Sequence, residues 1–332
     1  MMGSSHAVVL DRPQLGPLDR LAAWLATGLS VWILFETVWH ALRPDDPLAP
    51  LSLLSRRAAV LGAIQVTALT AGCAVLAAVL AGKRIADIGL FAALLGLTAV
   101  SCRGETAEHF LLEMTKPPGS GRGLAAGFLI ESIAWLGISA GALLAGGVVM
   151  KWRHRGVVHV AEPGERPALP LLPALADAPV VGQWFAGEPA LRTHVDAGVK
   201  HTVVVTAAGL FAFLILSIGS TSRAIQHGQA VFTVAASVCI ACYIAFHVAP
   251  VRSALWPITG VALMVVVAYI WAAFRPAAPD LPPTVPTSPF LRVLPIQFVS
   301  VGLATAVAMT WYMYDPFSAE TDHPRRQHAA RL

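Results

Sequence analysis

The sequence predicts an all-α, polytopic transmembrane bundle of about eight spans arranged as two four-helix halves. Three observations predict it. Hydrophobic residues make up 56% of the 332-residue chain and charged residues 13%, about half the charged fraction of an ordinary soluble domain. Mean hydropathy is +0.66. The apolar residues also fall into long runs without period-two alternation. Roughly 20 consecutive apolar residues is the length a helix needs to cross hydrocarbon. A peptide group in lipid has no water to bond, so such runs satisfy their backbone as helices, and barrel strands would alternate.

Eight runs meet this requirement. The first, 21–41, is rich in Trp and follows Asp11, Arg12, Asp19 and Arg20 with no small-residue cleavage site. It therefore reads as a retained span rather than a signal peptide. The second is 58–82. The third, 86–109, carries Arg103, Glu105, Glu108 and His109 at its end, which predicts a helix continuing from hydrocarbon into the headgroup layer. The fourth, 123–150, holds Glu131 about two turns in, and Gly137 with Gly141 as a pair of small residues that lets backbones approach. The fifth, 197–219, opens near His201. The sixth, 229–249, closes on His247. The seventh and eighth are 254–274 and 291–313.

The connecting segments divide the chain. Residues 1–20 are an N-terminal segment, 21–150 a four-helix half, 151–196 a linker, 197–313 a second four-helix half and 314–332 a tail. The linker is dense in proline (Pro163, Pro167, Pro170, Pro173, Pro179, Pro189), which removes backbone donors and disfavours helix. Its stretch Val180 to Phe185, with Trp184, suits the membrane interface. The 275–290 loop is likewise proline-dense and should be stiff. Ile130-Glu131 and Ile296-Gln297 lie at similar depths in spans four and eight, the one hint of internal duplication.

Lysine and arginine set the orientation. The side holding both termini carries 14 of them and the other side nine. The positive-inside rule then places both termini in the cytoplasm, in a multi-pass inner-membrane protein. The net charge of +4 reads as topology. No basic stripe with interleaved aromatics indicates nucleic-acid binding. The expected partners are the lipid bilayer and other membrane proteins or a second copy of the chain.

Cys73, Cys102, Cys239 and Cys242 make no disulfide framework. Cys239-Ile-Ala-Cys242 falls mid-helix and reads as small buried hydrophobes.

Ionisable groups in a bilayer need a partner, water or a purpose. Glu36 and His40 stand four apart on one helical face, as do Glu105 and His109. The topology brings them, with Glu108, Glu131 and Arg103, towards the outer half of the first four helices. Three readings follow. Glu131 is the deep acceptor of a proton or ion path that includes Glu36 and Glu105. Alternatively, His40, Glu105, Glu108 and His109 offer carboxylate and imidazole ligands to a divalent metal. The third reading is an inter-helix polar network at a wet boundary, closed by Arg103. A haem reading pairs His40 with His109 on one side and His201 with His247 on the other.

Enzymatic signatures are few. No Gly-rich phosphate loop follows a strand, and HExxH does not occur. Glu105 and His109 offer an acid and a base at an interfacial site. Cys102 beside Arg103 offers a thiolate. The expected function is a non-enzymatic subunit or scaffold of a membrane assembly, or a small-solute or ion permease. The alternative is a metal- or haem-dependent redox protein or membrane enzyme using the outer Glu/His cluster.

Overall fold

The structure is a computed structural model. It describes residues 17–44, 49–53, 59–81, 87–107, 110, 121–154, 189–218, 226–251, 254–274 and 288–314. The N-terminal segment, most of the 151–196 linker, the 275–287 stretch, Glu108, His109 and the C-terminal tail lie outside them.

Eight α-helices account for the described chain. They are α1 (Pro17–Leu42), α2 (Ala59–Ala81), α3 (Ile88–Ser101), α4 (Gly121–His154), α5 (Pro189–Ile218), α6 (His227–Val248), α7 (Leu255–Phe274) and α8 (Pro295–Tyr314). A 3-10 turn, Pro289–Arg292, precedes α8. Seven helices are long and apolar enough to cross a membrane, and α3 is the shorter exception. The bundle is therefore that of a multi-pass membrane protein. Its outward faces carry Leu25, Trp32, Ile64, Ile133, Phe211, Phe232 and Trp271, all exposed. That distribution suits a molecule whose solvent is lipid.

Successive helices run in opposite directions, as alternating spans must. The end of α3 touches the start of α6 and α8 through bonds from His227 to Gly104 and from Gln297 to Ser101. At the other end, His201, near the start of the apolar stretch Asp196–Ser217 of α5, meets Ala249 just after α6. Helix α1 packs on α2 and α3, α2 on α4, and α5 on α6 and α7. Helix α7 also packs on α4, and α8 contacts α3, α4, α6 and α7. The first and last four helices thus share an extensive interface.

Two helices occupy the centre. In α3, ten of 14 residues are buried, so this short helix is enclosed by protein. At 1.5 Å per residue it is about 21 Å long, short of the roughly 30 Å of hydrocarbon. Helix α8 has the lowest hydropathy of the seven long spans, 1.4, yet the largest buried share, 67%. Protein rather than lipid surrounds it, so it tolerates Gln297, Ser300 and Thr310 on its buried surface. A run of rings from Phe128 through Tyr269 to Phe298 and Phe213 links α4, α7, α8 and α5. The Tyr269 hydroxyl donates to the Val293 carbonyl at 2.9 Å, fixing α7 to the turn before α8.

The third predicted span ends early. Instead of continuing to 109, the helix stops at Ser101, where Cys102 and Arg103 donate their N–H groups to Ala99 and Val100. Gly104 then adopts φ +84°, a backbone region costly for any residue with a Cβ. Helix α4 runs to His154 and α5 starts at Pro189, so helix extends into both ends of the 151–196 segment.

Packing against α3 is close. A Cβ at Gly89 would collide with the Ala74 carbonyl oxygen of α2, and two helix backbones cannot both hold position there. Gly137 has nothing within 4 Å of its Cβ position. We predict that Gly89→Ala lowers stability by about 1–3 kcal/mol, the usual cost of overpacking. Gly137→Ala should leave stability unchanged or raise it by up to about 1 kcal/mol through helix propensity. Thermal unfolding of both variants in one detergent checks the pair. Equal melting temperatures would contradict the packing described.

Candidate functional site

Many of the polar features collect at one end of the bundle, around a carboxylate whose partners among the described residues are neutral. Glu131 lies on α4, 1% exposed. Three neutral donors reach it. The Ser52 hydroxyl donates to Oε2 at 2.6 Å. The Leu53 backbone N–H and the Trp135 indole N–H donate to Oε1, each at 3.0 Å. Trp135 stands one turn along α4, so this contact follows from helical spacing. Tyr269 lies within electrostatic range of the same carboxyl.

The other two donors come from residues 49–53, a non-helical segment between α1 and α2. All five residues are buried. Irregular backbone is tolerated at membrane depth only where protein or a polar cavity receives its peptide groups. Glu131 serves as that receiver for Leu53, and Pro50 has no N–H to satisfy. Pro50 also bridges to Gly104 and Glu105. Gly104 is needed here for its φ, since a Cβ would meet the Ala49 carbonyl and the Trp39 ring only at ordinary contact distances of 3.4 and 3.6 Å.

A second cluster sits beside this segment. The Arg103 guanidinium donates to the Phe35 carbonyl at 2.8 Å. It lies 4.1 Å from the Phe35 ring centre and 5.1 Å from that of Trp39. Glu36 is 3.7 Å away, with its side chain 47% exposed. The backbone bond and ring contacts fix Arg103, and the solvated ion pair adds little.

A third cluster joins α3, α6 and α8. The Gln297 side chain, 2% exposed, accepts from the Leu294 N–H at 3.3 Å and donates to the Ser101 carbonyl at 3.2 Å. Its nitrogen is also 2.7 Å from His227 Nδ1. His227 Nε2 reaches the Gly104 carbonyl at 3.0 Å. Deeper in, the Thr98 hydroxyl bonds that of Ser300 at 3.2 Å.

The structure thus sorts the candidate residues. Glu131 is deep and enclosed. Glu36 and Arg103 pair at a half-exposed rim, while His40 and Glu105 are exposed. Glu108 and His109 lie outside the described residues. Among the described residues, no three of His, Cys, Asp and Glu come together as a metal site.

At the far end, His201 is buried, with Nδ1 2.9 Å from the Ala249 carbonyl and its ring against Phe246. His247 is exposed and packs on Tyr243 at 4.4 Å. The two imidazoles therefore occupy different environments, one interior and one outward. Cys242 is buried, Cys239 is half-buried, and neither forms a disulfide.

Cys102 follows α3. Its thiol donates to the Thr98 carbonyl at 3.5 Å. Burial of the sulfur pushes the thiol pKa above its ordinary value, and a bond from Ser101 only partly opposes this. The thiolate expected from the adjacent Arg103 is not favoured, because that guanidinium is directed at Phe35 and Glu36.

Sequence reasoning missed Ser52, Leu53 and the His227–Gln297 contact. A signal for the first two was present in Pro47-Leu-Ala-Pro-Leu-Ser-Leu53, which is too apolar for a loop facing water. Compared with known protein families, curated proteins and solved structures, the chain matches none.

Two outcomes are expected. Glu131→Ala strands three buried donors, each costing about 1–3 kcal/mol when unsatisfied, whereas Ser52→Ala removes one bond worth about 1 kcal/mol. Glu131→Ala should therefore melt well below Ser52→Ala in detergent, and the reverse order would contradict the geometry. Alkylation of Cys102 by iodoacetamide should be slower at pH 8 than that of a free cysteine. Its rate should keep rising with pH beyond the point where a free thiol has levelled off, because the thiolate forms later. A plateau at or below the ordinary thiol range contradicts this.

Proposed function

We propose that the chain is a non-enzymatic architectural subunit of a membrane assembly. One observation supports this most directly. Both oxygens of Glu131, the one deeply buried carboxylate among the described residues, are already bonded, and the donors are the protein's own Ser52, Leu53 and Trp135. A carboxylate used this way positions the 49–53 segment and is not directed at a substrate. The Gln297 amide is similarly committed to Leu294, Ser101 and His227. The termini are then cytoplasmic, and the polar end faces away from the cytoplasm, as the basic residues suggest.

A second reading is favoured by the same segment seen differently. Buried non-helical backbone against a carboxylate is the arrangement found where permeases bind ions. On that reading Glu131 exchanges its internal donors for a proton or cation as 49–53 moves.

The two readings separate in reconstituted vesicles. With a pH gradient and a trapped pH-sensitive dye, the architectural reading expects wild type and Glu131→Gln to leak at the rate of empty vesicles. Co-purification from native membranes in mild detergent should recover a stoichiometric partner. Proton flux in wild type that Glu131→Gln abolishes overturns the architectural reading. A chain that migrates alone in every mild detergent also counts against it.

A further inference from the structure

The contact between His227 and Gln297 is chemically one-sided. Gln297 must present its oxygen to the Leu294 N–H and its nitrogen to the Ser101 carbonyl. A flipped amide would set oxygen against oxygen and nitrogen against N–H. Two backbone partners therefore determine which atom faces His227, and that atom is a donor nitrogen at 2.7 Å from Nδ1. Nδ1 must then be the bare acceptor nitrogen. The ring proton resides on Nε2, which donates to the Gly104 carbonyl at 3.0 Å. The network accepts one state of the imidazole: neutral, with Nε2 protonated.

We propose that His227 is a proton-controlled latch that holds the starts of α6 and α8 to the end of α3, and that protonation of Nδ1 releases it. A proton on Nδ1 sets donor against donor at hydrogen-bond distance. Gln297 cannot turn its oxygen to the histidine without losing both backbone partners. The least disruptive response is for the start of α6 to move away from α8, and Gly104 loses its bond from Nε2 with it. The released 102–105 turn is the one that supports Pro50, so the change reaches the segment that caps Glu131.

Among the described residues, no acidic group pairs with the imidazole. On the 102–105 turn, Arg103 is directed at Phe35, Trp39 and Glu36, and Glu105 is exposed. Cys102 is the remaining titratable group there, and its thiol points to Thr98. Helix α8 has no charged residue, and the turn before it carries Arg292. The neighbours of His227 on its own helix, Gln226 and Gln229, are neutral and cap each other.

The latched form binds one proton fewer than the released form. Acid therefore favours release. Neutral and mildly alkaline pH favours the latched form.

Backbone hydrogen exchange of the full chain in lipid nanodiscs, between about pH 7.5 and 5.5, tests this across the range where imidazoles titrate. After correction for intrinsic rates, peptides covering 101–107 and 226–232 should open more at the lower pH in wild type. In His227→Gln their opening should not depend on pH. Persistence of the acid response in His227→Gln overturns the latch. If that variant does not fold, ¹⁵N-histidine spectra of wild type decide the matter. The resonance of His227 should report the Nε2–H tautomer at pH 7.5 and both nitrogens protonated in the acid-opened state. The opposite tautomer, or titration with no change in exchange, overturns the proposal.

Discussion

The demand that every peptide group in lipid find a partner inside the protein governs this molecule. Seven long helices meet it through their own i to i−4 bonds. The 49–53 segment cannot, and a carboxylate has been placed where its backbone needs an acceptor. Glu131 is thus the point at which helical self-sufficiency fails and side-chain chemistry takes over. Its indole partner comes from the same helix, so α4 brings both the acceptor and one of its donors. The segment then supplies the rest. Burying a carboxylate is costly, and three hydrogen bonds from neutral donors offset that cost locally.

Around this centre the remaining polar groups act as joints between helices. Arg103 binds the end of α1 through a carbonyl and two rings, with Glu36 a weaker addition at the rim. Gln297 and His227 bind α8 and α6 to α3. All of these cluster at the end where α3 stops short. The brevity of α3 explains the clustering. A helix of 14 residues leaves room near one end of the bundle, and the non-helical 49–53 and 102–105 stretches fill it against each other. The opposite end is bound differently, by Thr202 and Thr206 donating from α5 to carbonyls on α7 and by His201 bonding Ala249.

Much of this was legible in the sequence. Long apolar runs gave the helices, because hydrocarbon leaves one inexpensive backbone solution. Glu131 stood out as deep, and Arg103 as the closing cation of an outer network, for the same reason of cost. The end of α3 was misjudged: its polar end from Arg103 reads as a helix entering the headgroup layer, whereas the helix stops at Ser101 and Gly104 takes a positive φ. Ser52 and Leu53 escaped notice because hydrogen bonds from a loop 78 or 79 residues away leave no periodic trace. The Gln297–His227 contact, 70 residues apart, is likewise a product of tertiary packing. Matching depths place both residues at one end of the bundle, but depth alone cannot tell which helices are neighbours.

The burial of α8 has a consequence for how the molecule assembles. A chain inserted from its N-terminus delivers α1 to α7 to the bilayer before the helix that touches α3, α4, α6 and α7 arrives. Until then the faces that will hold α8 are exposed to lipid or closed provisionally on one another. Helix α7 already joins the halves through α4, and this weakly hydrophobic helix completes the junction when it finds its polar partners. A chain stalled before α8 therefore leaves an open seam lined by the carbonyl of Ser101 and the imidazole of His227.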